Sequence, residues 1–172
     1  MRRYGTKRIA GTLTAVLLMA SAACSSSEPL AVEITGPVGV PEEPSTLSGE
    51  AVDEGAVCGE ALFEELRFED ADGKVLNEEE TAQAMQVEME TGEMVIAVMY
   101  RQWTCTDGSG SFVTADRGKI ASSEMDFEGV NEVADWEIDS GTGDYEKLSG
   151  SGNITVDFPN GVVVYSGTVE NG

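Results

Sequence analysis

The chain has 172 residues, 10 of them basic and 32 acidic, for a formal net charge of −22; that leaves room for one domain with a modest core and opposes binding to nucleic acid or anionic lipid headgroups. It contains no histidine, which excludes serine–histidine and cysteine–histidine nucleophiles and every histidine metal site. With 32 carboxylates, some are neighbours by chance, so none stands out as an acid–base pair.

The chain opens on Arg2, Arg3, Lys7 and Arg8, continues through an apolar run from Ile9 to Ala20, and reaches Ser21-Ala22-Ala23-Cys24. A basic flank, a short apolar run and a small-residue cleavage site are the three parts of an export signal, here residues 1–23. The run is too short for a comfortable transmembrane helix. Cys24, directly after small residues and before Ser25-Ser26-Ser27-Glu28-Pro29, resembles the lipobox of bacterial lipoproteins, and the resemblance implies that Cys24 is lipidated and anchors the protein to the cell membrane. Cleavage after Ala22 or Ala23, giving a secreted protein, is the alternative. An exported chain with Cys24, Cys58 and Cys105 has one thiol too many for internal pairing. A Cys58–Cys105 disulfide with Cys24 lipidated uses all three, and such a loop closure stabilises by about 4 kcal/mol; two reduced buried cysteines are the other reading. Removing the signal takes four basic residues, leaving six against 32 acidic ones, a net charge of −26. An anchored domain so charged is held off an anionic membrane surface.

Residues 24–45, rich in Ser, Glu, Pro and Gly, read as a flexible tether reaching on the order of 25–30 Å, although Leu30–Ile34 can pair as a short strand. The folded domain is placed at 46–172, with a first strand between Leu47 and Val57. Ala61–Glu69 fits a strand or a short helical stripe; the Asp72-Gly73 turn that follows favours the strand. Asn77-Glu78-Glu79-Glu80 has the form of a helix start with a capping box, Gly92 terminates it, and Met85 and Met89 are expected to pack on the barrel. Met94–Tyr100 is the most apolar run after the signal and reads as a central strand, followed by a turn at Asp107–Gly110 and a returning strand at Ser111–Thr114. Asp116–Ala121 reads as a loop, and strands are expected at Glu124–Val130 and Val133–Ile138. Glu69-Asp70-Ala71-Asp72-Gly73 lacks the spacing of a calcium loop and is read as a turn, so no metal or cofactor is expected.

The stretch Gly141–Gly152 reads as a tight connection into a final hairpin. With Asn160-Gly161 as a two-residue turn, opposed positions sum to 321, so that Phe158 faces Val163 and Val156 faces Tyr165 on one apolar face. Cys105–Phe112, then Trp136-Glu137-Ile138 leading into Gly141–Gly152, is similar to secreted bacterial proteins of the allene oxide cyclase-like and dirigent-like barrel group, in which a glycine–aromatic–leucine–glycine connection recurs between late strands. The likeness covers about residues 100–170. It implies an all-β fold, an antiparallel barrel of about eight strands, here with one short helical insertion, and an internal cavity. The plant members are a cyclase and proteins that guide radical coupling, but none of their functional residues maps onto this chain.

Strand alternation puts Arg101 on the face of Ala97, Met99 and Trp103. If that face lines a barrel, the guanidinium orients a small apolar or anionic ligand beside Tyr100 and Trp103. The competing reading pairs Arg101 with a carboxylate or lets it snorkel outward, with the aromatics as core. The expectation is therefore an exported, lipid-anchored, non-enzymatic binding or interaction module of unspecified ligand and protein partner; the alternative is a cavity isomerase or cyclase.

Overall fold

The computed structural model describes residues 28–38 and 43–172; the signal segment and Cys24 lie outside the described residues. Within them, nine strands form one antiparallel sheet: β1 (Leu30–Pro37), β2 (Ser45–Ser48), β3 (Glu60–Asp70), β4 (Val75–Leu76), β5 (Ile96–Cys105), β6 (Gly110–Gly118), β7 (Val130–Gly143), β8 (Leu148–Asp157) and β9 (Val162–Asn171). Their order is β2-β1-β9-β8-β7-β6-β5-β3-β4, and the pairing of Ser45 with Ala61 and Thr46 with Glu60 joins β2 back to β3. That pairing closes eight strands into a barrel, leaving β4 as an extra strand beside β3. Closure removes the exposed edges that an open sheet presents. Residues 28–172 thus contain the whole closed barrel and its core.

Strand formation follows the alternation of side chains. In β5, Met99, Arg101, Trp103 and Cys105 point inward, and Val98 and Tyr100 point out; in β6, Phe112, Thr114 and Asp116 point inward. Trp103, Phe112 and Tyr165 are almost wholly buried, and Trp103 meets Tyr165 edge-on at 5.1 Å between ring centroids. Leu30–Pro37, placed in the tether by its composition although Leu30–Ile34 could pair as a short strand, is a full barrel strand. It sits between β9 and β2 and buries Val32 and Ile34. Its apolar residues alternate, and the core they enter exists only once the distant β9 lies alongside.

One end of the barrel is plugged. Helix α1 (Glu50–Asp53), which occupies part of the segment expected as the first strand, seats Ala51 against the core, and Tyr145 and Leu148 fill the same end. Cys58 and Cys105 are joined by a disulfide there, spanning 47 positions of sequence. Helix α2 (Glu78–Thr91) covers the opposite end. Its Asn77 side chain accepts from the Glu80 N–H, the Glu80 carboxylate accepts from the Asn77 N–H, and Gly92 closes it with φ +71. This is the expected capping box. Only Ala84 of α2 is buried, however; Met89 is 79% exposed and does not pack on the barrel as expected.

Four local expectations fail for identifiable reasons. The final hairpin pairs Asp157 with Val162 and Val156 with Val163, so opposed positions sum to 319. Phe158–Gly161 forms a four-residue loop in which only Gly161 has positive φ, at +65, and Asn160 is held by the Asp157 carboxylate. Pro159 has no N–H to give a ladder, which drives the loop to this longer form. The slip is two residues, so every side chain keeps its expected face.

The expected strand at Glu124–Val130 does not form before Val130, where β7 begins: a 3₁₀ turn at Ser122–Glu124 leads into a loop that the Asn131 side chain bridges, accepting from Asp126 N–H and donating to Asp126 O, both at 2.8 Å. Asp116–Gly118, expected in a loop, continues β6. Lastly, the connection inside Gly141–Gly152 is only residues 144–147, since β7 runs to Gly143 and β8 begins at Leu148. The strand glycines there make room for a ring. Gly152 and Gly167 are paired across β8 and β9, and a Cβ on either would lie 2.7 Å from the Trp136 indole.

Candidate ligand-binding cavity

Between the aromatic layer of the core and α2 lies a cavity of about 340 Å³, near the lower end of the ~300–1,000 Å³ typical of small-molecule sites. Its walls are mainly apolar: Phe63 and Trp103 on one side, and Val133, Ile154, Val156 and Val163 on the other. Met85 and Glu88 of α2 complete it at the mouth. Glu88 also fixes the helix, because its carboxylate accepts from the N–H groups of Val95 and Ile96 at 2.7 Å each, where β5 begins. Ser122 and Ser123 bond the carbonyls of Glu88 and Gly92 and hold the end of α2 from the side.

A polar group breaks this apolar lining. Arg101 on β5 lies with Nη1 3.4 Å from Asp116 Oδ2 on β6 and Nη2 3.6 Å from Glu65 Oε1 on β3. From β9 across the barrel, the Tyr165 hydroxyl donates to Asp116 Oδ2 at 2.7 Å and accepts from Arg101 Nη1. The Trp103 indole N–H donates to the Thr114 hydroxyl at 3.2 Å beneath. Four strands thus converge on one buried ion pair, with the guanidinium carbon 5.0 Å from the centre of the Phe63 ring.

Burial pushes the Asp116 carboxyl up to about 6, against the opposing pull of Arg101 and the Thr114 hydroxyl and with a small further push from Glu65. Desolvation therefore outweighs the ion pair at this carboxylate. Two atoms remain unsatisfied: among the described residues, neither Asp116 Oδ1 nor Arg101 Nε has a hydrogen-bond partner. Buried polar atoms are nearly always partnered, so an acceptor and a donor left over on two residues of the cavity wall set this polar group apart. Among the same residues, no three His, Cys, Asp or Glu side chains are grouped to hold a metal ion.

Of the three residues singled out in the sequence, Arg101 and Trp103 line this cavity together. Tyr100 does not: it lies on the outer face of β5, where the Arg67 guanidinium stacks 3.5 Å from its ring centre. Arg101 points into the barrel, as the ligand reading requires, and pairs with carboxylates, as the competing reading has it. Asp116, Tyr165 and Glu65 were not anticipated. A signal for Asp116 existed: a loop at 106–109 sets Met99 opposite Asp116, which places the carboxylate one step along the sheet from Arg101. Tyr165 comes from the far side of the barrel, and no local pattern links it to them. Compared with known proteins, the chain matches no family model, no curated protein and no solved structure.

Proposed function

We propose that the protein is an exported, lipid-anchored binding module of the cell envelope whose barrel takes one small, mostly apolar molecule. The observation that carries the reading is the cavity itself, apolar in most of its walls, with Arg101 and Asp116, each of which keeps one unpartnered buried atom, among its lining residues. If Cys24 carries the lipid, six steps of chain separate it from Leu30, a reach of at most about 20 Å. Leu30 begins β1 at the plugged end, so the cavity mouth opens on the side away from the membrane. The tether is then much shorter than composition alone indicates, and the net charge of −26 keeps an anionic bilayer at a distance.

Mass spectrometry of the molecules that copurify with residues 25–172 tests the binding reading. A stoichiometric small molecule, displaced in an Arg101→Met variant, is expected; a barrel that carries none and binds none from an apolar panel sinks it. Anchoring has a separate test, because Cys24→Ser is expected to move the protein out of the membrane fraction. Unchanged fractionation refutes the lipid anchor.

A second reading is a cavity isomerase or cyclase of the allene oxide cyclase-like type that the sequence resembles. In its favour, a carboxyl that titrates near 6 lies against a tyrosine hydroxyl in an apolar site, a pairing suited to moving a proton. The copurified molecule separates the two, since a binding module returns it unchanged after prolonged incubation and an isomerase converts it.

A further inference from the structure

We infer that the molecule the cavity takes is uncharged and presents a hydroxyl, or an equivalent group that both donates and accepts, to Asp116 and Arg101. This rests on the binding reading above and names the chemical class of its ligand.

Charge decides against an anion. Arg101 already faces two carboxylates, Asp116 at 3.4 Å and Glu65 at 3.6 Å, so no positive charge is left over. An incoming carboxylate would meet Asp116 in a poorly solvated space, with the more exposed Glu65 beside it, inside a domain whose overall field already repels it. Hydrogen-bonding valence decides against a cation. An ammonium can donate to Asp116 Oδ1 but has no lone pair for the Arg101 Nε–H, and it would bring a second positive charge beside the guanidinium. An ether or ester accepts from Arg101 and leaves Asp116 Oδ1 unsatisfied. A hydroxyl has one donor and two acceptor lone pairs, and can answer both Arg101 Nε and Asp116 Oδ1, which lie covered and unpartnered in the cavity wall, once the pair turns toward it. The apolar walls, with Phe63, Ile154 and Val163 among them, then cover the hydrocarbon body.

Four eight-carbon or isosteric probes separate these cases: 1-octanol, heptyl methyl ether, octanoate and octylammonium. Each is titrated at pH 8 into residues 25–172, with binding read by calorimetry and by the fluorescence of Trp103 in the cavity wall. Octanol is expected to bind about tenfold more tightly than the ether, the worth of one hydrogen bond to a charged group, and at least as far ahead of both ions. In a double variant Arg101→Met/Asp116→Leu, which replaces both partners of the pair by apolar side chains, the octanol and the ether are expected to bind alike. Octanoate or octylammonium binding most tightly overturns the inference, as does parity of octanol and ether in the wild type. A preference for octanol that survives in the double variant also overturns it. If none of the four binds, the binding reading itself fails along with it.

Discussion

Asp116 and Arg101 lie diagonally across neighbouring strands, 3.4 Å apart, with the Tyr165 hydroxyl reaching both from the opposite wall of the barrel. The carboxylate of this pair sits higher in pKa than a solvated one because burial costs its charge more than the guanidinium returns. Stability must then depend on pH through Asp116. Its folded value of about 6 exceeds the ordinary 3.8, so its contribution is fully present below about pH 4 and is lost as pH rises through 6. Relative to Asp116→Asn, which does not titrate, the wild type is expected to lose up to about 3 kcal/mol between pH 4 and pH 7. Parallel urea titrations of the two proteins measure the difference; a constant gap across that range refutes it.

Removing one partner of the pair is expected to cost more than removing both. Arg101→Met strands a buried carboxylate and should destabilise by about 3 kcal/mol, whereas Arg101→Met/Asp116→Leu leaves no charge behind and should cost less. Chemical denaturation of the single and double variants decides the order.

The disulfide crosses from the segment after α1 to the end of β5 and closes a long loop at the plugged end. The chain-entropy model gives about 4 kcal/mol for a loop of this length. Cys58→Ala/Cys105→Ala is expected to lower the stability by that order, seen as a fall in denaturant midpoint with a steeper slope, because the unfolded chain without the cross-link exposes more surface. Residues 25–172, denatured without reductant, should show no free thiol.

Trp136 depends on two missing side chains. A Cβ at Gly152 would stand 2.0 Å from Ser166 O and 2.7 Å from Trp136 Nε1, and one at Gly167 would stand 2.2 Å from Ser151 O and 2.7 Å from Trp136 Cζ2. Gly152→Ala and Gly167→Ala should each cost about 1–3 kcal/mol through overpacking. A shift in Trp136 emission is expected to accompany the loss.

Glu88 is the fastening of α2 over the cavity mouth. Glu88→Ala leaves the N–H groups of Val95 and Ile96 without their carboxylate, and the helix buries only Ala84 to hold itself in place. Hydrogen exchange across Glu78–Thr91 should accelerate while β6 and β9 stay protected. Uniform acceleration through the barrel would show that α2 is instead part of its cooperative core.

Much of the architecture can be read locally. The Asn77–Glu80 capping box, the apolar run from Met94 to Tyr100 and the turn at Asp107–Gly110 each follow from backbone and side-chain chemistry within a few residues. The final hairpin keeps its faces even though its register moves by two, because the alternation of Ile154, Val156, Val163 and Tyr165 is independent of the loop that joins them. Segments whose structure depends on distant partners read wrongly. Leu30–Pro37 looks like tether with at most a short strand at Leu30–Ile34 until β9 lies beside it, and Asp116 looks like loop because a carboxylate at the inner face of a strand is costly unless a guanidinium is already there.

The amino-acid sequence by itself determined that this is a strand-rich, strongly acidic domain carrying a cysteine pair, with one capped helix among its strands and an arginine on the same strand face as a tryptophan. Those follow from alternation, turn chemistry and composition, all short in range. Only the tertiary structure decided that β2 meets β3 to close the barrel and that Tyr145 and α1 plug one end of it. It alone set Arg101, Asp116 and Tyr165 on a single cavity. The reason is physical: β5, β6 and β9 are brought around one interior by closure of the sheet, and whether a buried polar atom finds a partner is settled only across that interior.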